Sequence, residues 1–491
     1  MSGGVIDPEE LRRLPTGAHL EAEVLIVGSG AGGATTGALL AEAGFDVLVV
    51  EEGPWVEQGS VRPFSLAQMD QQYRSGGVTV ALGLPSIAYT EGRCAGGGTE
   101  INSGLYFRPP VEVIERWREE HRIRDLDPDQ ISVIAKEIEG ALDVGTVPGR
   151  TTPGSEILRR GAAALDWQHS EIPRWMSYPP GGDAVTGERQ SMTRTFLPRA
   201  FAADARMITG CRVDRLEMQD GTATGAVLSM SDGSQATVRC AHVIVCGGAI
   251  QTPALLQRSR IRGRIGRTLA VHPTVKLSAR FADEVNVPDD VPVHQVKEFA
   301  PSLSFGGSAS HSGLVALALL DQWPTFADAV TEWRRIAIYY AAITSEGRGW
   351  VRAIPGLRDP LVTYRLTARD RALLRSGLGR LALLMLEAGA EEVYPSFRGA
   401  PVVRGRHDLA SMQAAFAASK ASVMTVHLCS SVPMGELDGR SGADSFGLVH
   451  GTRNVRVNDA SLLPDAPGVN PQATVMAIAI RNARRFIEEH A

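Results

Sequence analysis

The chain has few cysteines, and their positions fit neither a metal site nor a disulfide framework. Five occur in 491 residues, at Cys94, Cys211, Cys240, Cys246 and Cys429. The number is odd and the spacing is scattered, so no C-x-x-C pair arises and no set of bridges is indicated. Such usage is typical of a reducing compartment. We therefore expect a cytoplasmic protein without a structural metal.

Long hydrophobic runs and an excess of positive charge are also missing. The longest apolar runs, residues 314–320 and 475–480, are much shorter than the ~20 residues of a membrane helix. Residues 1–17 contain no apolar stretch typical of a secretory signal. The net charge is −5, and no basic run is interleaved with aromatic residues. We expect neither a membrane span nor a nucleic-acid partner.

Glycine, in contrast, is arranged in a pattern that carries chemistry. Gly28, Gly30 and Gly33 follow a short apolar strand at the G-x-G-x-x-G spacing. A helical stretch and a second apolar strand come next, and that strand ends on Glu51. The glycines permit a tight turn and close approach to a pyrophosphate, while the acid accepts hydrogen bonds from a ribose. The segment predicts a dinucleotide site, and the motif leaves NAD and FAD open.

The pattern further along the chain predicts alternating helices and strands. Residues 55–91 lack periodicity and are predicted to form a long loop or lid that helps to build a pocket. Residues 110–165 have helical character, and residues 206–256 are predicted to form strands followed by a helix. The last fifty residues are predicted to form a strand, a turn and a long apolar helix.

The middle of the chain is predicted to form strands, and one strong helix follows them. Residues 274–366 alternate between strand-like and loop-like segments, and residues 305–308 are predicted to be a turn between two strands. Residues 367–390 carry leucines at helical spacing, and Thr367 is suited to cap that helix. We interpret the leucine stripe as core packing.

Further segments match known motifs in a fixed order. They are residues 92–104 (GRCAGGGTEINSG), 247–261 (GGAIQTPALLQRSRI), 427–435 (HLCSSVPMG), 454–464 (NVRVNDASLLP) and 470–474 (NPQAT). With these motifs the chain resembles, nearly end to end, the glucose–methanol–choline (GMC) family of FAD-dependent oxidoreductases. Residues 344–393 are most similar to the long-chain alcohol oxidase branch.

The resemblance implies an α/β fold. A Rossmann-like FAD-binding domain would be interleaved with an α+β substrate domain built on an antiparallel sheet. The implied FAD-binding domain comprises residues 1–110, 190–285 and 440–491, and the implied substrate domain comprises residues 111–189 and 286–439.

The resemblance also implies FAD as the cofactor and assigns residues to it. Gly28, Gly30 and Gly33 would take the pyrophosphate, and Glu51 the ribose. The other implied contacts are Arg93, Gly97, Thr99 and Asn102 at the diphosphate and isoalloxazine, Val213 at the adenine, Asp459 and Ala460 at the ribityl chain, and Pro471 and Thr474 at the pyrimidine edge. Some relatives attach FAD through a histidine just before the Asn102 position. Ile101 stands there in this chain, so non-covalent FAD is expected.

The same resemblance assigns the chemistry to His427 and Asn470. His427 would accept the hydroxyl proton of an alcohol while hydride passes to the flavin. Asn470 can donate to the substrate oxygen but cannot take a proton, so His427 would be the single base. His272 and His450 are expected to be structural, and Cys94 to have a packing role.

The implied activity is oxidation of a small-molecule alcohol, with oxygen or an external acceptor taking the electrons. Two alternatives stay open at this stage. One is another reaction on the GMC scaffold, either a lyase or a flavin photodecarboxylase. The other is a flavin-binding protein without catalysis.

Overall fold

The computed structural model describes residues 4–6, 19–287, 290–437 and 439–490. The strands are β1 (Gly4–Ile6), β2 (His19–Val27), β3 (Val47–Val50), β4 (Thr79–Ala81), β5 (Ile87–Tyr89), β6 (Val144–Gly145), β7 (His169–Glu171), β8 (Arg174–Ser177), β9 (Glu188–Arg189), β10 (Arg206–Ile208), β11 (Cys211–Gln219), β12 (Thr222–Met230), β13 (Gln235–Val245), β14 (Ala270–Val271), β15 (Thr274–Arg280), β16 (His294–Val296), β17 (Leu303–Ser308), β18 (Ile336–Ile343), β19 (Arg348–Arg352), β20 (Leu361–Arg365), β21 (Glu392–Pro395), β22 (Val423–Thr425), β23 (Leu428–Cys429) and β24 (Val455–Val457).

The α-helices come between these strands and after the last of them. They are α1 (Ala31–Glu42), α2 (Leu66–Gln72), α3 (Gly98–Ile101), α4 (Val111–Glu120), α5 (Pro128–Ala141), α6 (Pro153–Ala164), α7 (Phe196–Ala202), α8 (Gly248–Arg258), α9 (Ser312–Ala318), α10 (Trp323–Phe326), α11 (Ala368–Glu387), α12 (Leu409–Ala415) and α13 (Gln472–His490). No helix within the described ranges has the length and apolar character needed to cross a membrane.

An eight-stranded sheet carries the glycine motif. Its order is β1-β10-β3-β2-β13-β12-β11, and β24 pairs with the C-terminal part of β13. Six strands of this sheet run parallel to one another: β1, β10, β3, β2, β13 and β24. The remaining two, β12 and β11, continue the sheet as antiparallel strands. Residues 24–27 and 47–50 are buried because helices cover the sheet. The C-terminal helix α13 packs on α1, beside the first strands of this sheet.

A nine-stranded, mainly antiparallel sheet forms the second unit. Its order is β4-β5-β22-β15-β18-β17-β16-β7, and β21 also pairs with β15. The predicted helix of residues 367–390 is confirmed as α11, which packs against β15 and β18. Thr367 caps α11, because its side chain accepts from the backbone N–H of Asp370 in a capping box. The buried leucines of α11 face the sheet, as core packing requires.

Three local predictions are wrong. Residues 55–91 are not one long loop, because they contain α2, β4 and β5, whose strands are too short for a visible alternation. Residues 305–308 belong to β17 and do not form a turn. Gly306 and Gly307 are glycines for packing reasons, because a Cβ there would overlap the ring of Tyr340 and Pro292 respectively. The helices α9 and α10 also lie within a region predicted to contain only strands and loops.

The two sheets are interleaved along the chain. β4, β5 and β15 lie in segments predicted for the FAD-binding domain, yet they are strands of the second sheet. The chain therefore passes between the units several times, and the exact domain boundaries stay a prediction.

Candidate active site

A cavity of about 1100 Å³ is lined by residues of both units. The first sheet contributes the glycine motif and Val213, and the second contributes Thr274, Tyr340 and Met424. Ordinary ligand pockets occupy roughly 300–1,000 Å³. This cavity lies just above the upper end of that range, which suits a ligand as large as a dinucleotide.

Twelve of the fifteen predicted site residues line this cavity. They are Gly28, Gly30, Glu51, Gly97, Thr99, Asn102, Val213, His427, Asp459, Ala460, Asn470 and Pro471. The remaining three lie just behind the wall. Gly33 packs against the backbone of Gly28, the Arg93 guanidinium lies 3.7 Å from the carboxylate of Glu52, and Thr474 is fully buried in α13.

Glycines form a cradle at the N-terminus of α1. No side chain caps this helix at Gly30, and its first turn holds no acidic residue, so its N–H groups are available to an anion. A Cβ at Gly97 would lie 3.0 Å from the Cα of Gly30. A Cβ at Gly98 or Gly248 would meet no protein atom within 4 Å and would extend into open cavity. The donor set and the free space fit the pyrophosphate of FAD.

The carboxylate of Glu51, the acid of the motif, is held in place by hydrogen bonds from Ser29 and Gly53. One carboxylate oxygen of Glu51 accepts from the N–H of Ser29 at 3.0 Å and from its hydroxyl at 2.8 Å. The other oxygen accepts from the N–H of Gly53 at 2.8 Å. Burial raises the pKa of Glu51, although these hydrogen bonds act in the opposite direction. The carboxylate lies on the cavity wall after β3, where a ribose acceptor belongs.

Two further predicted residues are also held by hydrogen bonds. The Asp459 carboxylate accepts from the N–H of Gly248 at 2.7 Å and from Ser461, which ties the start of α8 to the loop after β24. Burial raises the pKa of Asp459. The Asn102 amide donates to Gln472 at 2.6 Å and accepts from the N–H of Gly104 at 2.9 Å. These side chains therefore shape the wall and are held in single orientations.

His427 is paired with a second histidine. Its Nδ1 lies 2.9 Å from Nδ1 of His272, and the two rings are nearly perpendicular, at 89°. The backbone N–H of Gly468 donates to Nε2 of His272 at 3.0 Å. A neutral His272 therefore carries its proton on Nδ1 and donates it to Nδ1 of His427. Neutral His427 then carries its own proton on Nε2, the nitrogen left for the cavity.

Burial keeps both rings neutral. It lowers the pKa of His272 to about 4, and the nearby ammonium of Lys297 acts in the same direction. Burial also lowers the pKa of His427 well below its usual value, with His272 and Lys297 adding to the effect. At neutral pH the pair is thus uncharged, and the lone pair of His427 is at Nδ1, where it accepts from His272.

The sequence did not reveal the role of His272. It was expected to be structural, whereas the structure places it in hydrogen-bond contact with the predicted base. The two histidines are 155 residues apart in the chain. The antiparallel pairing of β14 with β23 brings them together, and no local pattern encodes that pairing.

The buried Cys94 has no metal-binding or redox setting. Burial raises the pKa of its thiol well above the usual value, so the thiolate that reacts or binds metal is disfavoured. Within the described ranges, no three His, Cys, Asp or Glu side chains cluster in a way suited to a metal ion.

Family models and relatives agree with this geometry. The GMC oxidoreductase models match residues 69–274 and 353–479, and an FAD binding domain model matches residues 21–68. An uncharacterized GMC-type oxidoreductase of Sinorhizobium fredii is 38% identical over 476 residues, covering 95% of this chain and 94% of that protein.

More distant relatives have named activities. The long-chain-alcohol oxidase FAO4A of Arabidopsis thaliana is 25% identical over 506 residues, covering 94% of this chain and 68% of that protein. The crystal structure of pyridoxine 4-oxidase from Mesorbium loti has a TM-score of 0.75 at 20% identity, covering 96% of this chain and 100% of the other. The latter likeness shows the fold. The chain thus belongs to the GMC oxidoreductase family, has that family's FAD-binding fold, and uses FAD as its cofactor.

Proposed function

We propose that the protein oxidises the CH–OH group of a primary or secondary alcohol to a carbonyl, with non-covalent FAD as hydride acceptor. One observation carries this proposal: His427 and Asn470 line the same cavity as the glycine cradle. When bound, FAD supplies a two-electron acceptor. The similarity to long-chain-alcohol oxidases at about 25% identity supports an alcohol as the substrate.

The two polar residues divide the work at the hydroxyl group. The Asn470 amide donates a hydrogen bond to the substrate oxygen and orients the carbinol. His427 receives the hydroxyl proton, because its imidazole is neutral at physiological pH. Ile101, which lines the cavity where a covalent link is found in some relatives, offers no nucleophilic atom, and this supports non-covalent FAD.

The hydrogen-bond chain sets a condition for this proton transfer. In the resting pair, Nε2 of His427 already carries a proton. Nε2 can accept the substrate proton only when His427 carries its own proton on Nδ1 instead. That Nδ1–H must then donate to Nδ1 of His272, which becomes the acceptor of the hydrogen bond between the two rings. His272 then carries its proton on Nε2, and the N–H of Gly468 loses its acceptor, which costs about 1–3 kcal/mol. Asn470 lies two residues after Gly468. Substrate that binds to Asn470 would therefore act on the segment that holds the Gly468 N–H.

The proposal is tested by anaerobic flavin reduction with a panel of alcohols in the dark. A substrate alcohol should bleach the flavin absorbance and yield the carbonyl. His427→Ala should keep FAD but reduce the flavin about 10²–10⁴-fold more slowly. His450→Ala, at an exposed histidine, is the matched control and should behave as wild type. A wild-type rate in His427→Ala would contradict the base assignment, and product formation that needs light or leaves the flavin oxidised would contradict alcohol oxidation.

A further inference from the structure

Lysine is rare in this chain, and two lysines, Lys276 and the exposed Lys420, line the cavity. The sequence has four lysines against 46 arginines. Lys276 lies on β15, where side chains alternate between two faces. Thr274 and Lys276 line the cavity, while Val275 and Leu277 are buried in the core on the other face. The ammonium group is therefore directed to the side where a substrate is expected.

Lys276 has no counter-ion among the described residues. Burial alone lowers its pKa to about 8, and no neighbouring carboxylate contributes to that pKa. The acids near the FAD end of the cavity are already engaged. Glu52 pairs with Arg74 at 2.7 Å and with Arg358 at 2.9 Å, and Glu51 and Asp459 accept hydrogen bonds from the chain itself. Asp321 also lines the cavity but forms no ion pair with Lys276.

The side chains that flank Lys276 on the cavity face are neutral, namely apolar residues together with Tyr340 and Ser396. Tyr340 is its direct partner across the strand pair, and the Tyr340 hydroxyl accepts from the Gln295 amide at 3.1 Å. Ile338 and Ala342 flank Tyr340 on the same face, and Leu314 and Leu317 of α9 close the wall. A cation in such surroundings is costly unless an anion pairs with it. Nothing in the described chain supplies that anion.

We propose that Lys276 binds the anionic end of the substrate, so that the substrate is an alcohol with a remote carboxylate on an apolar chain. This inference rests on the proposed function, which places the hydroxyl end at His427 and Asn470. Lys276 is four residues beyond His272, about 13 Å along an extended strand. That backbone separation favours an ω-hydroxycarboxylate, whose methylenes would lie along Ile338 and Leu314, over an α-hydroxy acid, whose carboxylate adjoins the carbinol.

Binding is measured first, without turnover. The oxidised holoenzyme is titrated with decanoate and with decanamide, which lacks the charge, and the change in flavin absorbance gives each Kd. In wild type, decanoate should bind at least tenfold more tightly than decanamide. In Lys276→Met this ratio should fall to about one, and Lys276→Arg should restore a preference for the anion. Lys136→Met, at an exposed lysine of α5, is the matched control and should keep the wild-type ratio.

The second measurement separates this inference from the proposed function. Flavin reduction is followed with ω-hydroxydecanoate, decanol and ω-hydroxydecyl phosphate. Faster reduction by ω-hydroxydecanoate than by the other two compounds supports the inference. If ω-hydroxydecyl phosphate reduces the flavin fastest, the anion that Lys276 binds is a phosphate and not a carboxylate. An unchanged decanoate-to-decanamide ratio in Lys276→Met would overturn it, even if alcohols reduce the flavin. If decanoate binding depends on Lys276 but no alcohol reduces the flavin, Lys276 is an anion-binding residue and the proposed alcohol oxidation is refuted.

Discussion

His427 and His272 show how a single hydrogen bond decides what an imidazole can do. His272 is buried, His427 is half-buried on the cavity wall, and both rings are neutral, yet only one nitrogen of His427 is left for the cavity. The Gly468 N–H fixes the proton of His272, and His272 in turn fixes that of His427. His272 is therefore a positioning residue, because it acts on the substrate only through His427.

We predict that His272→Phe shifts the pH profile of flavin reduction. A base works only while it is neutral, so the rate should fall as the pH drops through the pKa of His427. In wild type that acid limb lies well below pH 6.5, since burial, His272 and Lys297 lower the pKa. Removing the His272 donor should raise the pKa and move the limb to higher pH. Anaerobic stopped-flow reduction measures the profile, with His450→Phe as control, and coincident profiles would refute the positioning role.

At the scale of elements, the cradle depends on backbone that only glycine adopts easily. Gly97 has a φ of 54° and faces the Cα of Gly30 across the N-terminus of α1. An alanine there carries backbone strain of about 1–3 kcal/mol and narrows the space for the pyrophosphate. Gly97→Ala should weaken FAD binding at least tenfold.

The control for this prediction is Thr367→Ala, which removes the cap of α11 on the far side of the second sheet. It should lower the free energy of unfolding by about 1 kcal/mol and leave FAD affinity intact. FAD affinity is measured by flavin fluorescence, and stability by thermal unfolding. Equal FAD affinity in Gly97→Ala and wild type would show that the cradle does not form the cofactor site.

These elements differ in how far the sequence could predict them. The glycine motif, α11 and α13 follow from local spacing, because turn, capping and helical periodicity are properties of neighbouring residues. The prediction of a turn at Gly306 and Gly307 is wrong because glycine is required there by packing. Tyr340 and Pro292, which are distant in the sequence, leave no space for a Cβ at these positions. The same limit applies to His272 and to Lys276, whose importance depends on which strand face meets the cavity.

On the scale of the whole molecule, ion pairs as well as the cavity link the two units. Arg74 is almost fully buried and binds Glu52 after β3, at 2.7 Å, and Asp359 between β19 and β20, at 3.0 Å. Burial raises the pKa of Glu52, but Arg74 and Arg358 outweigh this effect and lower it to about 2. Since the cavity wall is shared by both sheets, a ligand that fills it binds the two units together and should stabilise the native state.

We therefore predict that FAD raises the unfolding temperature of the apoprotein in proportion to the logarithm of its concentration. A ligand that binds only the folded state adds RT ln(1 + [L]/Kd), which is about 2.7 kcal/mol at a hundredfold excess over Kd. NAD should give no comparable shift, because the cofactor of this family is FAD. Thermal unfolding of apoprotein titrated with FAD or NAD measures this, and Gly97→Ala should need at least tenfold more FAD for the same shift. If NAD stabilised the protein as strongly as FAD, the cavity would not discriminate between the dinucleotides, and the link between cradle and flavin would fail.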